Sequence, residues 1–267
     1  MTDHVFLDTD MFIHQHDIDD SIKSAAKAIF INTHPSAISS FSIVEFKGNY
    51  IQDLILLHRK ISDSDSFRRA VARIRSTGGR RYNLMLAILI SWIDENFKTR
   101  PWEESRRELM TYLDTQITVS WEEYLNSVDR IFNDIDCSRF VESPDDDGEK
   151  WTAIIPKCNE NNTKCKIIKF MESFHSDLQK LVNALHSLDS SEMTKELYKI
   201  RDVAELTISG KFPWKGHTCR QVGDLIIGLQ SKIGQRLISS NSKEHKQLSV
   251  PLGYNYQKFS VTEIRSK

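Results

Sequence analysis

The sequence is poor in cysteine, in net charge and in long apolar runs, and each shortage excludes a class of protein. Its four cysteines are few and scattered, which argues against a disulfide framework and favours a reducing, cytosolic setting. The net charge is −1, so no global basic field marks a protein that coats nucleic acid. A net charge this close to zero is still compatible with an enzyme that has a local basic patch.

Nothing in the sequence predicts a membrane anchor or an export signal. The longest apolar run, 84–93, is interrupted by Ser91 and is far shorter than the ~18 residues of a membrane span. We therefore expect a buried helix there and no contact with a membrane. The N-terminus has no basic region followed by an apolar stretch, so we expect no signal peptide.

Several common catalytic and metal-binding motifs are also missing. There is no Gly-rich phosphate loop ending in Gly-Lys-Ser/Thr and no Gly-x-Ser-x-Gly elbow. Cys158 and Cys165 are separated by six residues, whereas structural zinc sites usually pair cysteines at shorter spacing. P-loop nucleotide hydrolysis, serine acyl transfer and a zinc site are therefore not expected.

Strand and helix patterns alternate at both ends of the chain, and this alternation predicts a parallel α/β sheet flanked by helices. Residues 1–59 and 207–267 would form one discontinuous core, and residues 60–206 a large all-helical insertion. The predicted strands are 4–8, 36–39, 236–240 and 256–261. The predicted helices are 22–30, 41–59, 67–77, 82–97, 101–115, 120–135, 167–187, 190–207, 224–234 and 242–248.

Acids and an amide stand where buried elements of the core begin or end. Asp8 follows the first strand, Asn241 follows the strand 236–240, and Glu45 and Asp224 lie near helix starts. Ligands of parallel sheets bind at the carboxyl ends of the strands, so we expect these four side chains to converge. Hydrolysis of a phosphodiester requires stabilised negative charge on the attacking and leaving oxygens, which carboxylate-bound divalent metals supply.

These segments resemble the PIN-domain nuclease family, and especially its VapC-like toxin branch. The resemblance covers less than half of the chain. It is carried by Phe6-Leu7-Asp8-Thr9-Asp10, by Ser39-Ser40-Phe41-Ser42-Ile43-Val44-Glu45-Phe46, by Gly223-Asp224-Leu225-Ile226-Ile227-Gly228 and by Leu237-Ile238-Ser239-Ser240-Asn241-Ser242-Lys243-Glu244-His245. It implies an endoribonuclease dependent on Mg²⁺ or Mn²⁺, in which Asp8, Glu45 and Asp224 bind metal and Asn241 assists catalysis.

Three features depart from the family pattern. Asp10 replaces a polar residue and is either a further ligand or a solvated acid. Asn241 replaces an acid, and a neutral amide would weaken a second metal site. The segment 60–206 is much larger than the compact toxins carry, which suggests a specialised substrate or partner surface.

The segment 67–81 is rich in arginine and contains no acid. The planar guanidinium group of arginine can donate two parallel hydrogen bonds to phosphate oxygens, so we predict that this segment binds substrate. A solvated helix face and a dock for an acidic partner are the alternatives. The arginines concerned are Arg68, Arg69, Arg73, Arg75, Arg80 and Arg81.

Other interpretations of the same residues remain open. Asp8 could face solvent, Asp224 could only cap its helix, and Asn241 could be a turn residue. His14 and His16 are expected in a loop, as ordinary polar residues. The chain could be a catalytically inactive PIN-like scaffold that binds RNA or a protein, or a toxin controlled by an antitoxin peptide. A homodimer is common among the relatives that the resemblance suggests.

Overall fold

Five parallel strands form the centre of the molecule. A computed structural model describes residues 4–17, 19–96, 100–135, 165–211, 222–234 and 236–260. The sheet order is β3-β2-β1-β4-β5, and all neighbouring strands run parallel. The predicted parallel α/β sheet flanked by helices is thereby confirmed. The strands are β1 (Val5–Leu7), β2 (Ser36–Ser39), β3 (Arg130–Phe132), β4 (Arg236–Ser239) and β5 (Asn255–Lys258).

The helices cover both faces of this sheet, as a parallel sheet requires. Alternate residues of the strands point to opposite faces. Phe6, Ala37 and Leu237 contribute to one apolar core, and Leu7, Ile38 and Ile238 contribute to the other. The helices are α1 (Thr9–Gln15), α2 (Asp20–Asn32), α3 (Ser40–Phe46), α4 (Gln52–Ser62), α5 (Phe67–Arg75), α6 (Gly79–Asn96), α7 (Trp102–Asn126), α8 (Lys166–Glu172), α9 (His175–His186), α10 (Lys195–Ile208), α11 (Gly223–Gly234) and α12 (Ser242–Leu252).

Most helices contribute to one of the two cores, and α3 contributes to both. The core that contains Phe6 is completed by α8, α9, α10, α11 and α12. The core that contains Leu7 is completed by α1 to α4, by α6 and α7, and by the buried face of α5. Because β1 is the central strand, the residue that follows it lies between the two helical layers.

The prediction that residues 60–206 are all helical is wrong at β3. We predicted helix over 120–135, but residues 130–132 pair with β2 as an edge strand of the sheet. The pairing is anchored before the strand begins, where Asp129 Oδ2 accepts hydrogen bonds from the Ser36 backbone N–H at 2.7 Å and the Ser36 hydroxyl at 3.1 Å. Contacts between residues distant in sequence thus determine this strand. Residues 136–164, in the same predicted insertion, lie outside the described part of the chain.

Two further predictions differ from the structure, and a third agrees with it. The helices predicted over 101–115 and 120–135 are one continuous helix up to Asn126, in which Ser120, predicted to begin the second helix, is a buried interior residue. His14 and His16 were expected in a loop, but α1 begins at Thr9, so His14 lies in a helix and His16 at its end. The helix predicted over 41–59 is confirmed in extent, with a π-helical turn at Lys47–Ile51.

In the parts of the chain that the structure describes, no helix is long and apolar enough to span a membrane. The apolar run 84–93 forms the middle of α6, where Met85 and Leu89 are buried and Ile90 is exposed. This agrees with the expected helix.

Candidate metal centre

The carboxyl ends of β1, β2 and β4 are each followed by a helix after at most two residues, and the candidate site lies at these three junctions. Asp8 follows β1 and caps α1, because its Oδ1 accepts a hydrogen bond of 2.7 Å from the Thr9 backbone N–H. Ser39 ends β2 and caps α3 in the same way, and Asn241 follows β4. Helix N-termini therefore surround the site, and their partial positive charge favours the carboxylates there.

All four predicted site residues lie in one neighbourhood. Asn241 Nδ2 donates a 3.2 Å hydrogen bond to Asp224 Oδ2, and Thr9 Oγ1 donates one of 2.7 Å to Glu45 Oε2. Gly223 lies so close to Glu45 that a Cβ placed on it would be 2.8 Å from Glu45 Oε1. The negative charges of Asp8 and Asp224 also raise the pKa of Glu45. The expectation that the carboxylates converge therefore agrees with the structure, while their role in binding metal stays a prediction.

His245, a residue that the sequence did not single out, lies at the centre of this group. Its Nε2 is 3.2 Å from Asp8 Oδ2 and 3.5 Å from Asp224 Oδ1, and its side chain is fully buried. Its Nδ1 is 3.2 Å from the hydroxyl of Tyr254. One ligand atom from each of Asp8, Asp224 and His245 lies within 4.8 Å of the other two, an arrangement that could hold a metal ion.

Asp10 also belongs to this site. Its Oδ2 accepts hydrogen bonds from the Ser240 backbone N–H at 2.8 Å, from the Ser240 hydroxyl, and from Ser239 Oγ at 3.1 Å. Its Oδ1 is buried with no hydrogen-bond partner among the described residues. These contacts argue against a solvated acid, and the role of Asp10 as a further ligand stays a prediction.

Ser239, the last residue of β4, ties three parts of the site together. Its Oγ lies 2.6 Å from Asp8 Oδ2, and it accepts a 2.9 Å hydrogen bond from the Asn241 backbone N–H. The side chain therefore fixes the orientation of Asp8 and the turn that carries Asn241.

The carboxylates carry more negative charge than the site compensates. Burial, with the charges of Asp8 and Asp224, raises the pKa of Glu45 to about 8. Burial raises the pKa of Asp224 to about 6, and burial with the charge of Asp8 raises the pKa of Asp10 to about 6. An additional cation in the site would stabilise the charged carboxylates and lower these pKa values again.

The pKa values of Asp8 and His245 are shifted in the directions that favour an ion pair. Burial alone would raise the pKa of Asp8, but the hydrogen bond and charge of His245 hold it below its ordinary value. Burial alone would lower the pKa of His245, but the hydrogen bond with Asp8 and the charges of Asp8, Asp224 and Asp10 raise it to about 9. At neutral pH the imidazolium is thus the cation that partly balances the acidic group.

The arginine segment predicted to bind substrate is not part of the candidate metal centre. Arg68, Arg69, Arg73 and Arg75 are exposed on α5, which packs against α4 and α6 through the buried Ala70 and Ile74. Two of these arginines form ion pairs with the preceding loop, Arg69 with Asp65 at 2.6 Å and Arg73 with Asp63 at 3.8 Å. The side chains of Arg80 and Arg81 lie outside the described ones.

His245 could have been found from its spacing. It stands four residues after Asn241, and positions i and i+4 share one face of a helix. No protein-family model, curated protein or solved structure matches this chain.

Proposed function

We propose that the chain is a PIN-like, metal-dependent endonuclease that hydrolyses phosphodiester bonds, with RNA as its substrate. The observation that carries the proposal is the convergence of Asp8, Asp224 and His245 on one point, with Glu45 and Asp10 beside them. The residues fit a divalent cation, because their carboxylates outnumber the single imidazolium and Asp10 Oδ1 is buried without a partner among the described residues.

Asp8, Asp224 and His245 would hold the cation, with His245 binding as the neutral imidazole after it releases the proton that its raised pKa retains at neutral pH. Glu45 and Asp10 would add charge or direct ligands. An imidazole ligand favours Mn²⁺ over Mg²⁺, since Mg²⁺ prefers oxygen ligands alone. When bound, the cation would supply the positive charge that stabilises the attacking and leaving oxygens of a phosphodiester. Ser239 and Thr9 would keep Asp8 and Glu45 oriented through their hydrogen bonds.

The arginine face of α5 is proposed to contact phosphates of the substrate. Arg68, Arg69, Arg73 and Arg75 are exposed along one helix, and guanidinium groups bind phosphate oxygens in pairs. Because α5 packs on α4 and α6 rather than on the sheet, these contacts would position the nucleic acid away from the reacting bond.

The experiment compares cleavage of mixed RNA and single-stranded DNA by the unmodified chain and by Asp8→Asn and Asp224→Asn, with Mn²⁺, Mg²⁺ or EDTA. Glu172→Gln, an exposed acid on α8, is the matched control. We expect each site variant to lose at least about a hundredfold in rate, since each removes charge that stabilises the transition state. Equal rates for all four proteins would overturn the mechanism.

One observation favours a second candidate, a catalytically inactive scaffold that binds RNA or a protein. His245 already forms ion pairs with Asp8 and Asp224, so an internal cation could replace a metal. Isothermal titration calorimetry separates the two: heat of binding with millimolar Mn²⁺ supports the enzyme, and its absence supports the scaffold.

A further inference from the structure

A cavity of about 330 Å³ opens between the end of α1, the start of α2 and the helices α4, α6 and α7. We call it the aromatic cavity and define it by six lining residues. This volume is at the lower end of the ~300–1,000 Å³ usual for small-molecule sites. The six residues are His16, Asp17, Lys23, Tyr50, Trp92 and Tyr112.

A stack of nearly parallel rings ends at this cavity. Tyr124 stacks on Phe46 with ring centroids 4.5 Å apart, Phe46 on Tyr50 at 5.4 Å, and Tyr50 on His16 at 5.2 Å. The interplanar angles are 10°, 23° and 23°. Tyr124 and Phe46 are buried in the core, whereas Tyr50 and His16 line the cavity. A further planar ring in the cavity would meet Tyr50 and His16 and also the side chains of Trp92 and Tyr112.

The charges around the cavity favour a neutral guest. Burial and the positive charges of Lys27 and Lys23 lower the pKa of His16 to about 4, so its imidazole is neutral and has one donor and one acceptor nitrogen. The same lysines disfavour an organic cation. Asp17 and Asp20, which also line the cavity, disfavour a phosphate group. A planar, uncharged ring with hydrogen-bonding edges fits these conditions, and nucleobases have this chemistry.

A chain of polar contacts joins the cavity to the candidate metal centre. Ser240 Oγ donates a hydrogen bond to Asp10 Oδ2 and lies 3.3 Å from His14 Nε2. His14 Nδ1 lies 3.4 Å from Asp17 Oδ2, and Asp17 lines the cavity. Only two side chains therefore separate the acidic site from the wall of the cavity.

We propose that the aromatic cavity binds one nucleobase of the single-stranded RNA whose backbone lies at the metal centre. The inference rests on the proposed function, because it takes RNA as the substrate. The base would be recognised by stacking on aromatic rings. Such stacking does not depend on the RNA sequence, because every base has a π-face. Tyr112 and Trp92 would contact the base, and the ring of His16 would extend the stack formed with Tyr50.

The test measures binding of a short fluorescein-labelled single-stranded RNA by fluorescence anisotropy in EDTA, where no metal-dependent cleavage interferes. Tyr112 is 40% exposed, so Tyr112→Ala is expected to fold normally. We expect Tyr112→Ala to weaken binding about tenfold, as loss of one stacked base does, and Tyr112→Trp to retain it. Tyr198→Ala is the matched control, because Tyr198 is 39% exposed on α10, away from the cavity, and should bind as the unmodified chain does.

A second arm replaces single nucleosides of the RNA with abasic residues. One abasic position should weaken binding to the unmodified chain by the same factor and have no further effect on Tyr112→Ala. Equal affinities for Tyr112→Ala and the unmodified chain would overturn the proposal. Competition by millimolar choline that depends on Tyr112 would also overturn it, by showing a site for organic cations.

The experiments distinguish failure of the nuclease proposal from failure of the base-site proposal. If Mn²⁺ binds and RNA is cleaved but Tyr112→Ala and the abasic positions change nothing, the base site is wrong and the nuclease stands. If neither metal binding nor cleavage occurs but the abasic effect depends on Tyr112, the nuclease is wrong and the base site is supported.

Discussion

His245 Nε2 lies 3.2 Å from Asp8 Oδ2, although the two residues are 237 positions apart in sequence. This contact joins the first turn of α12 to the end of β1 inside a buried site. Asp224, from a third element, is 3.5 Å from the same nitrogen. Any cation that enters the site must therefore share Asp8 and Asp224 with His245 or take the place of its charge.

His245→Gln should destabilise the metal-free protein. It removes the positive charge between Asp8 and Asp224 and leaves two buried carboxylates without compensation, which costs about 3 kcal/mol of unfolding free energy. Urea denaturation in EDTA measures this loss. Adding Mn²⁺ should raise the unfolding free energy less in the variant than in the unmodified chain, because the variant lacks one of the proposed ligands.

His34→Gln provides the control for this change. His34 also forms an ion pair with an acid, Asp129 at 3.0 Å, but its side chain is 59% exposed. Its loss should cost at most about 1 kcal/mol, independently of Mn²⁺. If both variants respond equally to Mn²⁺, the ion does not bind at His245.

Asn241→Asp should strengthen metal binding and weaken the metal-free fold. The amide Nδ2 donates to Asp224 Oδ2 at 3.2 Å, and a carboxylate would replace that donor with repulsion, at about 1–2 kcal/mol. With Mn²⁺ the added charge becomes favourable. Thermal unfolding should show a larger Mn²⁺-dependent rise in Tm than in the unmodified chain, whereas the exposed Asn183→Asp should show no such gain. Equal rises in Asn241→Asp and the unmodified chain would show that residue 241 does not contact the ion.

Gly223→Ala should disturb Glu45 through packing alone. A Cβ at this position would lie 2.5 Å from Phe41 Cε1 and 2.8 Å from Glu45 Oε1, so one side chain must move. We expect a loss of about 1–3 kcal/mol in unfolding free energy and weaker Mn²⁺ binding by calorimetry.

Gly228→Ala in the same helix is the matched control. The atoms nearest to its Cβ would be the ends of Leu252 and Tyr254 at 3.3 Å. It should change stability by less than about 1 kcal/mol, because Ala also favours a helix interior. Unchanged Mn²⁺ affinity in both variants would show that Glu45 does not bind the ion.

His16 should make stability fall between pH 6.5 and pH 4. Its pKa is lowered from 6.5 to about 4 in the folded protein, chiefly by burial, so the unfolded chain takes up a proton first as pH falls. The contribution is fully present above pH 6.5 and is lost as pH approaches 4, by about 2–3 kcal/mol. Urea denaturation of the unmodified chain and of His16→Asn at several pH values isolates this difference, since the carboxylates titrate in both. Parallel stability curves would contradict it.

Much of the fold was predictable because local patterns determine it. The strands at 5–7, 36–39 and 236–239 have buried apolar residues before an acid, a serine or an amide, and the convergence of Asp8 and Asn241 follows from the parallel order. The strand β3 was not predictable, because only Phe132 of its three residues is buried and the contacts of Asp129 with Ser36 hold it in place. The place of His245 depends on the packing of α12 against the sheet, which its spacing from Asn241 only suggests.

The double variant Arg68→Gln/Arg75→Gln tests the arginine face of α5. Both side chains are exposed, so their removal should leave unfolding free energy nearly unchanged. If they contact phosphates, the slope of log affinity for single-stranded RNA against log salt should decrease by about 0.7 for each arginine. Fluorescence anisotropy between low and moderate salt measures this slope, and Arg107→Gln, exposed on α7, is the control. An unchanged slope in the double variant would favour the solvated-face interpretation, because exposed arginines that touch no phosphate release no counterions.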